Sequence, residues 1–231
     1  MNAAAHGSGE TPSGAWVFLD LDGTFSTRST EPLVTRELRR TGWFTTGQLA
    51  RVAWCYARYK LDLMSDLPAT KREVVAALLT GLPEEVVTAA VDTVFHRDLL
   101  PRVRPQLVAE MADHRRAGRR VALLTSTLDV IGAPFQAHFG FDTLVAARLE
   151  VTDGTYTGRI LGDIAYGEAK ARLAGEMAQA AGVALTDCFA YGDRFDDRFL
   201  LTEVGTAVAV DPDRKLAALA RTQGWRLEPG S

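Results

Sequence analysis

The chain has 231 residues, 47% hydrophobic and 24% charged, an ordinary globular balance with room for one large domain or one carrying an insertion. A net charge of −3 and a pI near 5.8 argue against a nucleic-acid partner or an anionic membrane surface. Cys55 and Cys188 stand far apart and outside any C-x-x-C spacing, which disfavours a disulfide framework or a zinc site and suits a reducing cytoplasm.

Residues 1–14, "MNAAAHGSGETPSG", lack the basic start and apolar centre of a secretory signal and read as a disordered lead. No stretch approaches the roughly 20 apolar residues of a membrane span. "WVFL" at 16–19 then reads as a buried strand, and it runs into Asp20 and Asp22 followed by Gly23-Thr24. Ionised Asp is seldom buried without a partner, so the strand either leaves the protein here or enters a site. If the strand stays extended, Leu21 points away and both carboxylates lie near one place.

Residues 31–100 read as helical throughout. "EPLVTRELRR" stops at Gly42, and "TTGQLARVAWCYARYK" sets Leu49, Val52, Ala53 and Tyr56 on one face. "ATKREVVAALLTGL" stops at Gly81, after which Pro83-Glu84-Glu85 opens another helix with acids at its positive end. This segment carries Trp43, Phe44, Trp54, Tyr56 and Tyr59 beside Arg51, Arg58 and Lys60. A small helical core with snorkelling cations is the simpler reading, ahead of an aromatic, basic pocket.

From Pro101 the pattern changes. "RPQLVAEMADHRRAG" reads as a helix, and the basic run His114-Arg115-Arg116 to Arg119-Arg120 as its solvated end. "RRVALLT" is a continuous apolar strand of a sheet covered on both faces, and "LEVTDGTYTGRI" a hairpin turning at Asp153-Gly154. A helix at about 166–182, the strand "DCFAYGD", a short helix, the strand "TAVAV" and a helix from Pro212 complete the alternation. The expected fold is α/β, a Rossmann-like parallel sheet over residues 15–30 and 101–231 with an α-helical cap inserted at 31–100, just after the first strand.

In such sheets ligands bind beyond the carboxyl ends of the strands, where this chain places Asp20 and Asp22, then Thr125 and Ser126, then Asp193 with Asp196 and Asp197. Lys170 sits in the first half of a helix. Each feature alone has an ordinary reading. D-G is a common turn, a helix lysine is usually exposed, and acids favour helix starts. Thr125 directly follows the apolar run, but Ser126 or Thr127 could supply the hydroxyl instead. Together, several carboxylates without His or Cys suit Mg²⁺. An Asp can also act as a nucleophile, a second Asp as acid and base, and Lys170 with a hydroxyl can offset phosphoryl charge.

With these residues in order, the chain resembles the haloacid dehalogenase superfamily, in its subclass with a helical cap after the first motif. "DLDGT" is similar to the nucleophile motif, "VALLTST" to the second, "YGEAKARL" to the lysine motif and "YGDRFDD" to the acidic motif. "LEVTDGTYTGRI" and "VAVDPDRKLAALARTQGW" are similar to phosphoserine-phosphatase-like members. The resemblance implies Asp20 as nucleophile and metal ligand, and Asp22 as general acid/base that also binds metal through its backbone carbonyl. It implies phosphate binding by Thr125 and Lys170, and Mg²⁺ binding by Asp193 with Asp197 supporting it directly or through water.

Three departures bear on the substrate. A glutamate nine residues past the nucleophile in phosphoserine phosphatases is Ser29 here, with Glu31 near but out of register. A glycine after their motif-two Ser is replaced by Ser126-Thr127, and a common Ser after the acidic Asp is Arg194. The expectation is a Mg²⁺-dependent cytoplasmic phosphatase acting on a small phosphorylated metabolite other than phosphoserine, through an aspartyl-phosphate at Asp20. Its rivals are a phosphotransferase or mutase using the same intermediate, and a non-catalytic binding module. Dehalogenation is disfavoured, because relatives of that kind generally lack the acid Asp22 supplies.

Overall fold

The computed structural model describes residues 14–44, 46–60 and 66–230, without the side chains of residues 49, 55, 56 and 58–60. The expected lead over 1–14 lies outside the described residues apart from Gly14, as do the side chains of Leu49, Tyr56, Arg58, Tyr59 and Lys60.

The apolar run forms β1 (Trp16–Leu19), and strand alternation divides it between two cores. Val17 and Leu19 enter one hydrophobic cluster, Trp16 and Phe18 the other. The same split recurs in β2 (Arg120–Leu128), β5 (Phe189–Gly192) and β6 (Thr206–Val210). These strands therefore lie in the middle of a sheet covered on both sides, as their unbroken apolar sequences imply. Burying one such side chain contributes about 1.5–3 kcal/mol, which anchors β1 firmly.

With β3 (Thr143–Thr152), β4 (Thr155–Leu161) and β7 (Arg226–Glu228), the described strands form one sheet in the order β4-β3-β2-β1-β5-β6-β7. All neighbours are parallel except the β3–β4 hairpin. The chain winds one way from β1 through β2 to β3 and the other way from β5 to β7. The point where that winding reverses lies between β1 and β5, where ligands gather in open α/β sheets.

Helices α5 (Pro105–Arg116) and α6 (Asp129–Phe139) cover one face. Helices α7 (Glu168–Ala180), α8 (Arg198–Glu203) and α9 (Arg214–Gln223) cover the other. Between β1 and β2 come α1 (Thr30–Arg40), α2 (Thr46–Lys60), α3 (Leu67–Leu79) and α4 (Glu84–Val94). These form the helical cap of an α/β fold. Val34, Leu38, Val75, Leu78 and Val91 join the same cluster as Leu107 and Phe135, so cap and sheet share one apolar core.

The cap is also stitched to the hairpin by its backbone. Gly81 N–H donates to the Tyr156 carbonyl, Tyr156 N–H to Leu82 and Glu84 N–H to Gly154, each at 2.9 Å. Arg72 adds bonds to the carbonyls of Ile160 (2.7 Å) and Gly162 (2.6 Å). Hairpin and cap thus satisfy each other's polar groups, which neither could do buried alone.

Several expectations need correction. The strand read as "RRVALLT" runs on to Leu128 through a register shift after Leu124, so Thr125 is inside it rather than at its end. Helix α6 and edge strand β7 were not read from the sequence at all. Pro134 within α6 masks the first, and three residues at the sheet's edge carry little pattern for the second. The basic run after 114 is not simply solvated. His114 is buried against Tyr191, while Arg119 and Arg120 lie over the rings of Phe189 (4.3 Å) and Trp16 (4.2 Å). In the cap, Phe44 joins the core and Val52 packs against it, whereas Ala53, expected on the same face as Val52, is exposed, as is Trp54 at 64%.

Candidate active site

β1 ends at Leu19, and the chain turns at once instead of staying extended. Asp20 N–H still donates to the Tyr191 carbonyl of β5. Phe25 N–H then bonds back to the Asp20 carbonyl and Ser26 N–H to that of Leu21. This tight loop corrects the extended geometry expected for Asp20 and Asp22, whose side chains reach different partners.

The Asp20 carboxylate accepts from Lys170 Nζ at 2.7 Å, and the same ammonium donates to Asp197 Oδ1 at 2.6 Å. Lys170 is only 4% exposed, on the first turn of α7. A lysine that would ordinarily reach solvent is here inside the protein, between two carboxylates. Their charge raises its pKa against the opposing pull of burial. Burial works the other way on Asp20, and with Asp197 nearby it lifts that carboxyl to about 6 despite Lys170.

Asp193 follows β5 and accepts from the Thr24 hydroxyl at 3.1 Å. Burial, then the charges of Asp20 and Asp197, push it up to about 8. Two glycines make room for these acids. A Cβ on Gly23, whose φ is +92°, would stand 2.2 Å from Asp193 Oδ2. A Cβ on Gly192 would meet Asp197 at 2.7 Å. Beneath the loop, Arg104 is 2% exposed and donates to the carbonyls of Thr24 (3.0 Å) and Gly23 (3.2 Å), bracing the turn from the start of α5.

Asp22 faces the cap entrance. Its two oxygens accept from the backbone N–H (3.0 Å) and hydroxyl (3.2 Å) of Thr30 at the start of α1. Burial, Glu31 and Asp20 raise it to about 7. The Thr30 hydroxyl lies 3.0 Å from that of Thr127, which also donates to Glu31 at 3.2 Å. Lys71 of α3 closes the circuit, 2.5 Å from Glu31 and bonded to the Ser126 carbonyl. Thr125 is 1% exposed, and its hydroxyl accepts from Thr127 N–H at 3.2 Å.

The fold thus brings Asp20, Lys170, Asp193 and Asp197 together across β1, β5 and α7. Asp22 stands beside them on a second network, and Thr125 is held within β2.

A model of the haloacid dehalogenase-like hydrolases matches residues 17–202, from β1 into α8. The chain belongs to that family. A phosphoserine phosphatase of Mycobacterium tuberculosis is 29% identical over 97% of this chain and 74% of its own length. A protein of unknown function from Bordetella pertussis superposes with a TM-score of 0.83 at 26% identity, covering 94% of this chain and 99% of that one. A phosphoserine phosphatase solved as a phospho-aspartyl intermediate analogue shares the fold, with a TM-score of 0.67 at 21% identity over 95% of each chain.

Sequence reasoning did not single out Thr24, Thr30, Lys71 or Arg104, which the structure places against the site's carboxylates and their loop, and set Glu31 aside as out of register. Thr24 could have been found from its place within "DLDGT". Glu31 could not, because only the turn of α1 brings it beside Asp22. Lys71 looks like any lysine of an amphipathic helix. Arg194, by contrast, keeps its side chain exposed and meets Asp197 through its backbone, its N–H donating to Oδ2 at 3.1 Å and its carbonyl accepting from the Asp197 N–H at 2.9 Å.

The donor set suits a hard cation. Its carboxylates carry oxygen donors only, outnumber Lys170, and have pKa values raised first by burial and then by one another's charge, both of which a divalent cation would offset. Among the described residues, no three acidic, His or Cys side chains converge as a formed metal cluster.

Proposed function

We propose that this chain, a phosphoric monoester hydrolase, cleaves a small-molecule phosphomonoester through an aspartyl-phosphate on Asp20. The observation that carries the reading is the Asp20–Lys170–Asp197 triad at the switch point of the sheet. A buried ammonium keeps Asp20 in one orientation and lowers its charge cost without occupying both of its oxygens.

Asp20 attacks phosphorus, and the bond to the leaving oxygen breaks as Asp22 gives that oxygen a proton. Water then attacks the same phosphorus and passes a proton to Asp22, freeing phosphate and restoring the Asp20 carboxylate. Burial suits Asp22 to this exchange, since a carboxyl near pH 7 can hold a proton and release it. Asp20, Asp193 and Asp197, with the Asp22 carbonyl, would hold Mg²⁺, which supplies charge to stabilise the phosphoryl oxygens. Lys170 and the hydroxyl of Thr125 add to that role, with Ser126 and Thr127 adjacent.

The named relatives make phosphoserine a natural first substrate to test, yet two features oppose it. Ser29 stands where phosphoserine phosphatases usually carry a substrate-binding glutamate, and Glu31 is already paired with Lys71. The cap's partners therefore meet each other rather than a zwitterion.

The test is phosphate release from a panel of phosphorylated metabolites with Mg²⁺, comparing the wild type with Asp20→Asn. Loss of turnover in the variant, with an unchanged circular dichroism spectrum, supports the reading. Equal turnover in both proteins sinks it.

A further inference from the structure

A cavity of about 340 Å³ lies under the cap, between α1, α2, α3 and the start of α6. That is within the usual size of a small-ligand pocket. Its wall is apolar, formed by Val34, Leu38, Phe44, Val75, Leu78 and Leu128. A smaller chamber of about 210 Å³ adjoins it and contains Asp22, Ser29 and Ser126. Glu31, Pro32, Lys71 and Val74 line both. The Glu31–Lys71 pair, 2.5 Å apart, forms the neck between the acid Asp22 and the apolar space.

Hydrophobic interiors normally pack with few voids larger than a water molecule, so an apolar space of this size beside a reaction site calls for an occupant. Charge at the neck is balanced within the protein, and beyond it the described wall offers mainly hydrocarbon. Arg36 and Arg39 also line the cavity, but both are exposed. We propose that this cavity receives the leaving group of the substrate, and that the substrate is a phosphomonoester of an apolar aliphatic alcohol. The inference rests on the phosphatase reading for the position of the phosphate. The hydrocarbon extends from the leaving oxygen past Lys71 into the space lined by α1 and α3, out of water.

The experiment measures binding of ethyl-, butyl- and hexylphosphonate by calorimetry in the presence of Mg²⁺, alongside phosphate release from the matching alkyl phosphates. Each buried methylene should tighten binding about threefold to fourfold. Val74→Phe, which fills the cavity from its shared wall, should at least halve that dependence on a logarithmic scale. Val74→Thr, nearly the same shape with a hydroxyl in place of one methyl, should weaken it as well and guards against misfolding of the larger substitution. Affinity independent of chain length in the wild type overturns the proposal, as does a dependence untouched by both substitutions. Chain-length-dependent binding without phosphate release from any ester would keep the cavity as a site for alkyl chains while removing the phosphatase reading, and with it the cavity's role for a leaving group. Release at rates independent of chain length, with flat phosphonate binding, would do the reverse.

Discussion

Lys170 and Asp20, 150 positions apart in the chain, meet at 2.7 Å with both side chains almost wholly withdrawn from solvent. The same ammonium holds Asp197 at 2.6 Å, so a single cation ties β1, α7 and the turn after β5 into one unit.

Replacing it tests stability and chemistry together. Lys170→Met should cost about 3–5 kcal/mol, because two buried carboxylates lose their countercharge. Urea denaturation measures that loss. Turnover at a temperature where the variant is folded should still fall at least a hundredfold.

Asp22→Asn keeps the shape and one acceptor for Thr30 while removing the exchangeable proton. Turnover of an alkyl phosphate should fall about 10²- to 10⁴-fold, the usual contribution of a positioned acid. With p-nitrophenyl phosphate, whose leaving group needs little protonation, the loss in the first step should be smaller. Equal losses in the first step, read from the burst of released alcohol or p-nitrophenol, would contradict the acid role.

Gly23→Ala and Gly42→Ala separate backbone strain from site geometry. Both positions have positive φ, +92° and +84°, so each substitution should cost about 1 kcal/mol. Only at Gly23 would the new Cβ collide with Asp193, whereas Gly42 faces open space. Activity and the Mg²⁺ concentration needed for half-maximal rate should change in Gly23→Ala alone.

His114 provides a pH prediction away from the site. Burial, followed by the positive charge of Arg119, lowers its pKa to about 4 from 6.5. The unfolded chain therefore binds a proton that the folded one refuses between those values. Stability from this group is complete above about pH 6.5 and is lost as pH falls toward 4. Allowing for partial solvent screening, the effect is about 1–2 kcal/mol. The raised carboxyls Asp20, Asp22 and Asp193 act in the opposite sense, stabilising the fold less as pH rises through their window. Subtracting the stability curve of His114→Asn from that of the wild type isolates the histidine. A flat difference between pH 4 and 7 would contradict its buried, neutral state.

Much of this was legible in order along the chain. Apolar runs such as "WVFL" and "TAVAV" declare strands buried on both faces, since a strand shielded on both sides has no use for alternation. The acids after β1 and β5 stand out because they interrupt those runs where burial would otherwise continue. Helix α6 was less readable, since its proline argues against a helix that the sheet and Phe25 nonetheless pack in place. Lys71 and Glu31 were legible only as residues of two amphipathic helices.

By itself, then, the sequence determined the α/β architecture and the helical insertion, and it singled out the acids and lysine of the candidate site. These depend on local patterns and on short spacings that survive without coordinates. The tertiary structure alone decided who partners whom. It turned Asp20 toward Lys170 and Asp22 toward Thr30, brought Glu31 beside Asp22, and left an apolar cavity behind the Glu31–Lys71 neck. Such pairings depend on how helices dock on a sheet, and that docking is set by side-chain shape summed over the whole core rather than by any stretch of chain.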